Sequence, residues 1–239
     1  MPFHTIRQFA AVALKKVISS VGTAPSSGNC ICSFEMEDTT DSSANSYTFT
    51  ATGATSGATG IIADAYNFDG TSDYLTSDLD IGDFASGDFT INIWINPDTI
   101  VSARAFLDTT NVVSTHDVVA RYNSTSGDVY FRTQVAGTVV SVVSTDQLST
   151  GSWQMVTLVR ESGDLSIYID AGTVKTTSAT AGNLSSVGDM IIGANKGLSQ
   201  GVDAQIDEVT VWDTALTADN VTYLYQLGNP GTAQQYPFT

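Results

Sequence analysis

Apolar and polar residues alternate along most of this chain, in runs of five to eight positions closed by Gly, Asp, Asn or Ser. Clear examples are Asp88-Phe-Thr-Ile-Asn-Ile-Trp-Ile-Asn-Pro97, Gly163-Asp-Leu-Ser-Ile-Tyr-Ile-Asp170 and Gln205-Ile-Asp-Glu-Val-Thr-Val-Trp-Asp213. A period of two sends successive side chains to opposite faces of a strand, one toward a core and one toward water or a partner. The pattern predicts strands near 31–36, 65–68, 74–76, 88–96, 103–108, 117–122, 128–135, 138–144, 153–160, 164–170, 173–178, 189–193 and 205–213. Ser126-Gly127 and Ser162-Gly163 are short enough to close hairpins. Residues 51–60 read as a Gly/Thr/Ala loop. So many short strands with close turns predict an all-β fold, a two-sheet antiparallel sandwich.

Helical spacing occurs twice. Near the C-terminus Thr217 can cap a short helix whose stripe is Val221, Leu224, Tyr225 and Leu227; Gly228 suits a left-handed position after its end, and Pro230 stops it. Near the N-terminus Ile6, Phe9, Ala10, Ala13, Leu14 and Val17 recur at three and four residues, with Phe3 before them and Lys15 and Lys16 among them. One amphipathic helix is not stable alone, so this arm is expected to bury its stripe against a neighbour. The chain therefore divides into an arm and linker (1–29), a β-sandwich body (30–230) and an irregular tail (231–239).

Charge sharpens that division. Residues 1–29 carry Arg7, Lys15 and Lys16 and no acid, for +3; the remainder carries six basic and 25 acidic residues, for −19 and a net −16. Such an acidic body repels nucleic acid, while the arm can seek an acidic partner surface. Its apolar stretch Phe9–Leu14 is six residues long and ends at Lys15-Lys16, too short for an export signal of about 7–15 apolar residues. No apolar run reaches the roughly 18 residues of a membrane span. Cys30 and Cys32 sit two apart on an expected strand, facing the same way, a spacing that strains a disulfide; two buried thiols are expected.

Several phrases, taken in order, resemble the laminin-G-like branch of the concanavalin-A-like jelly rolls. They are Phe34-Glu-Met-Glu-Asp38, Asp41-Ser-Ser-Ala-Asn45, Ala65-Tyr-Asn-Phe-Asp-Gly-Thr-Ser-Asp-Tyr-Leu75, Gly151-Ser-Trp-Gln-Met-Val-Thr-Leu-Val-Arg160 and Ile206-Asp-Glu-Val209 with its following Trp-Asp-Thr-Ala-Leu-Thr217. Ala44 and Ala171 stand where that pattern has glycine, and the arm has no counterpart in it. The resemblance implies a structural calcium between the early acidic turn and the closing strand, held by Asp41, Asn45 and Asp207. The alternative is that Asp41 and Asn45 bond the backbone of their own turn and Asp207 is held by strand-end amides.

Catalysis finds little support in the residues. Glucanases of this fold need two carboxylates facing one sugar, whereas Asp207 and Glu208 are successive and should point to opposite faces of a strand. The only histidines, His4 and His116, have no serine–acid partners in view. Strand parity instead puts Trp94, Tyr130, Arg132, Tyr168 and Trp212 away from the inferred core. Aromatic rings beside hydrogen-bonding groups suit a sugar or a protein partner, unless loops or the C-terminal helix cover Trp94 and Trp212.

Two functions are expected from these readings. One is a non-catalytic structural or adhesion subunit of a phage or virus particle, a capsid decoration, head-fibre or tail-fibre protein. It would dock on other particle subunits through the arm, sit in a multimeric assembly at the virion surface, and meet a cell-surface glycan. The other is a secreted or surface bacterial carbohydrate-binding module, extracellular in location.

Overall fold

The structure, a computed structural model, describes residues 22–84, 87–109, 115–178, 182–184 and 187–228. The expected arm helix, with Phe3, Ile6, Phe9, Leu14, Lys15, Lys16 and Val17, and the tail after Gly231 lie outside the described residues.

The strands are β1 (Cys30–Phe34), β2 (Phe49–Thr52), β3 (Thr55–Thr59), β4 (Asp64–Asp69), β5 (Tyr74–Asp80), β6 (Phe89–Thr99), β7 (Ala105–Thr109), β8 (Asp117–Tyr122), β9 (Asp128–Val135), β10 (Thr138–Gln147), β11 (Gln154–Glu161), β12 (Asp164–Ile169), β13 (Lys175–Thr177), β14 (Asp189–Ile192) and β15 (Asp203–Trp212). One helix, α1 (Ala218–Leu227), follows. The strands form two antiparallel sheets. One runs β13-β12-β11-β6-β15-β4-β3, with β1 also on β15; the other runs β10-β9-β8-β7-β14-β5-β2. Along the flank of β15 away from β6, β4 pairs its first half and β1 its second. No helix among the described residues is long and apolar enough to cross a membrane.

The alternation creates the core directly. Phe89, Ile91, Ile93 and Ile95 of β6, Val156 and Leu158 of β11, and Val209 and Val211 of β15 meet Phe106, Val118, Ala120, Phe131, Met190 and Ile192 of the facing sheet. Phe34 stacks on Phe49 with ring centroids 3.9 Å apart. Each such side chain contributes about 1.5–3 kcal/mol on burial. The β11–β12 hairpin turns on Ser162 (φ 52°) and Gly163 (φ 94°), a left-handed pair whose twist matches the strands.

A second apolar layer lies on the other face of the larger sheet. Cys30, Trp94, Met155 and Trp212 are covered by Leu216, Val221 and Leu224, so α1 is clamped onto the sheet. Thr217 caps it as expected: its hydroxyl accepts from Asn220 N–H, and the Asn220 side chain accepts from Thr217 N–H. Gly228 departs from expectation, being right-handed at φ −83°. Its reason is space, because a Cβ there would lie 2.4 Å from the Trp94 ring.

Three other expectations change. Residues 51–60 are not a loop but hold the second half of β2 and all of β3, whose Thr, Ser, Gly and Ala lack an apolar alternation because β3 is an exposed edge strand paired through its backbone to β4. Cys30 and Cys32 are free and buried, yet a register shift between them puts Cys32 in the inter-sheet core and Cys30 under α1. Burial pushes both thiols up from their ordinary range. Finally, β15 carries a bulge between Asp207 and Thr210 where it pairs β6, with Glu208 at φ 48°, so simple parity fails there.

Candidate ligand-binding face

The seven-stranded sheet turns Val118, Ala120, Val129 and Phe131 inward, which leaves Asp117, Val119, Arg121, Tyr130 and Arg132 on its outward face. Register completes the arrangement: Arg121 pairs with Tyr130 and Val119 with Arg132. Across the next strand Ser141 pairs with Arg132 and Val143 with Tyr130. The Arg121 guanidinium lies 4.7 Å from the centre of the Tyr130 ring, a cation–π contact that holds both side chains. Arg132 forms a two-pronged pair with Asp117, with Nε donating to Oδ1 at 3.0 Å and Nη2 to Oδ2. Asp117 is fully buried and Arg132 is 27 % exposed, so a buried carboxylate aims a half-open guanidinium.

Lys196 closes the other side of that carboxylate, its Nζ 3.7 Å from Asp117 Oδ2. Its backbone N–H donates to Asp108 Oδ2 at 2.9 Å. Burial pushes Asp108 up to about 6, with the Lys196 and Thr109 amides pulling the other way. His116 Nε2 accepts from Ala136 N–H at 3.2 Å at the end of the same face. Tyr130 and Arg132 were legible in the sequence; Arg121, Asp117, Asp108 and Lys196 were not. Arg121 and Asp117 had a signal in the parity of β8, whereas Lys196 arrives from a loop through contacts distant in sequence.

Trp94, Tyr168 and Trp212 belong elsewhere. They lie on the outward face of the eight-stranded sheet, where Trp94 is 3 % and Trp212 0 % exposed beneath α1, and Tyr168 packs half-buried at the margin. Tyr225 stacks on Trp94 at 5.8 Å, and Trp212 Nε1 donates to Thr210 Oγ1 at 3.0 Å. A sealed ring offers no sugar platform. The expected five-residue face is therefore corrected: the structure keeps Tyr130 and Arg132 as one cluster and turns the two tryptophans into a secondary core.

The expected calcium ligands also have other work. Asp41 accepts at Oδ1 from Ser33 and Ser43 N–H, both 2.8 Å, and at Oδ2 from Tyr47 N–H at 2.9 Å, with the Ser43 hydroxyl 2.7 Å away. Those four contacts fill a carboxylate's acceptor directions. Asn45 donates to the Ile31 carbonyl at 2.8 Å. Asp207 accepts from Ile61, Ile62 and Glu208 N–H at 2.8, 3.1 and 2.8 Å. Among the described residues no group of three or more His, Cys, Asp or Glu side chains is arranged to hold a metal. The three side chains thus fit turn and strand anchors, not a cation's oxygen cage.

Asp207 and Glu208 are both buried, at 0 % and 8 % exposure. Burial pushes Asp207 up to about 7 and Glu208 up to about 9, the latter raised further by Asp207 and by Glu35 and Glu37. Glu208 lines a cavity of about 30 Å³ with Asn92, Trp94, Thr210 and Leu224. That space admits a water and no sugar.

A family model of the laminin-G type, described as the concanavalin A-like lectin/glucanases superfamily, matches residues 69–222. The chain belongs to this superfamily. Solved jelly rolls of the superfamily's architecture share its fold at low identity. Domain 4 of the extracellular arabinanase AbnA from Geobacillus stearothermophilus, solved in complex with arabinotriose, superposes with a TM-score of 0.71 at 17 % identity, over 83 % of this chain and 98 % of that one. The binding domain of Paraclostridial Mosquitocidal Protein 1 gives 0.66 at 16 % identity, over 83 % and 52 %. The receptor-binding domain of botulinum neurotoxin type G gives 0.64 at 14 %, over 83 % and 51 %. The chain spans about half the length of those two toxin fragments. No curated protein sequence matches it.

Proposed function

We propose that this protein is a non-catalytic carbohydrate-binding jelly roll that takes a glycan on the outward face of its seven-stranded sheet. The supporting observation is the Tyr130–Arg121–Arg132 strip, in which an aromatic ring and two guanidiniums are fixed by a cation–π contact and a buried Asp117. Preset donors beside a ring suit a pyranose or furanose, whose faces are apolar and whose edges are hydroxyls. The arabinanase domain, of the same fold, was solved with a sugar, which favours this class of ligand. The sealed setting of Asp207 and Glu208 favours binding over hydrolysis. A glycan screen followed by calorimetry on the full chain tests the reading. Tyr130→Ala and Arg132→Ala should each weaken the selected glycan at least ~10-fold, the value of one or two good contacts. Retained affinity in both variants would move the site elsewhere.

A particle-subunit role has one observation in its favour. The described chain enters beside α1, where the Thr23 carbonyl accepts from Asn220 Nδ2 at 2.8 Å and Gly22 packs against Asp219 and Tyr223. Since α1 covers the larger sheet, an arm docked into a neighbouring subunit from that side would leave the Tyr130 face outward. Cross-linking mass spectrometry on native particles should then join Lys15 or Lys16 to a partner chain. Cross-links confined to this chain would count against docking.

A further inference from the structure

After residue 29 the chain holds 25 acids and six bases, so a base there without a carboxylate partner is unexpected. Arg121 is such a base. The ion pairs among the described residues are those of Arg132 and Lys196 with Asp117. Arg121 lies instead over the Tyr130 ring, and among the described residues its side-chain N–H groups meet no acceptor. Both side chains are partly exposed, so the guanidinium edge is open to a ligand.

The surroundings of Arg121 isolate it from the acidity of the body. It pairs with Tyr130 of β9 on one side and Ala105 of β7 on the other. Residues 195–200 border the strip on the β7 side, where the Gln200 carbonyl accepts from Ala105 N–H at 3.2 Å. The carboxylates of β7, β8 and β9 are Asp108, Asp117 and Asp128. Asp108 and Asp117 are buried, at 4 % and 0 % exposure. Asp128 accepts from the Ser124 hydroxyl at 2.9 Å and from Gln147 Nε2 at 2.8 Å. These three acids are balanced by Arg121, Arg132 and Lys196, which leaves three bases and 22 acids, for −19, to the rest of the chain after residue 29. At physiological ionic strength a surface charge is felt over roughly 8 Å, so a ligand on the strip meets the local balance.

We propose that the glycan taken by this face is an acidic one, with a carboxylate or sulfate group on Arg121. This rests on the reading of the face as a glycan site and adds the class of sugar. Paired N–H groups of a guanidinium match two oxygens of one anionic group. The Tyr130 ring holds Arg121 in place, so less ordering is needed on binding. Since the body as a whole repels polyanions, a preference for acidic sugars has to come from local contact.

Calorimetric titration of the full chain with two matched pairs tests the proposal: polygalacturonate against its methyl ester, and dextran sulfate against dextran. In at least one pair the charged polymer should bind at least ~10-fold more tightly. A preference in the first pair assigns a carboxylate, and one in the second a sulfate. Arg121→Gln should remove the preference while leaving the melting temperature unchanged. Arg121→Lys should keep part of it, because the charge remains and the fork is lost. Equal affinity within both pairs, no heat from any of the four up to about 10 mM sugar, or a preference that survives Arg121→Gln would overturn the acidic assignment. The glycan face itself would still stand if Tyr130→Ala weakened binding of an uncharged polymer, so the two readings fail separately.

Discussion

Glu208 is held at φ 48° on the β15 bulge, 8 % exposed, with Oε1 buried and without a hydrogen-bond partner among the described residues. Burial raises its carboxyl to about 9, so the folded chain keeps a proton there that the unfolded chain releases near its ordinary value of 4.5. More protons on the folded side mean that stability falls as pH rises from about 4.5 through about 9. Asp207, raised to about 7, acts in the same direction up to that pH. Glu208→Gln should therefore raise the melting temperature at pH 8 by several degrees and flatten its decline between pH 7 and 9; an unchanged profile in thermal melts would contradict a neutral buried acid. Ala171 is a second strained residue, at φ 55° beside Asp170 at φ 52°. Here the family-like turn lacks its glycine, and Ala171→Gly should gain about 0.5–1 kcal/mol in urea unfolding. A loss would mean that the alanine methyl packs more than its backbone strains.

At the scale of elements, α1 decides the character of the larger sheet. Its capping box and its Val221 and Leu224 side chains hold it over Trp94 and Trp212. Leu224→Ala should cost about 2–3 kcal/mol and shift tryptophan emission to the red as water reaches the layer. Stability loss without a spectral shift would place the effect away from the tryptophans. The strand pattern made the β6, β9, β11, β12 and β15 alternations readable, since each needs only a period of two. It could not show the bulges in β1 and β15, because one extra residue in a ladder is a property of pairing and leaves no mark in composition.

For the whole molecule, the acidic body invites a cation, yet its candidate ligands are spent on holding turns. Asp41 joins β1 to the turn that follows it, and Asp207 ties β15 to the loop at Ile61 and Ile62. We propose that both act as hydrogen-bond anchors. Adding calcium to chelator-treated protein should then leave the melting temperature within about 1 °C. Asp41→Ala should destabilise by about 1–3 kcal/mol through orphaned N–H groups. A calcium-dependent rise of several degrees would restore the metal.

The sequence by itself determined the two-sheet sandwich, the inward residues of most strands, the capped C-terminal helix and the outward Tyr130 and Arg132. Each follows from local periodicity or from capping chemistry within a few residues. Tertiary structure alone decided which outward aromatics remain open and which charges meet. Coverage of Trp94 depends on a helix more than 120 residues later in the chain, and Asp117, Arg132 and Lys196 converge from three separate segments. Burial and charge pairing at such sites are set by what the rest of the chain packs against them.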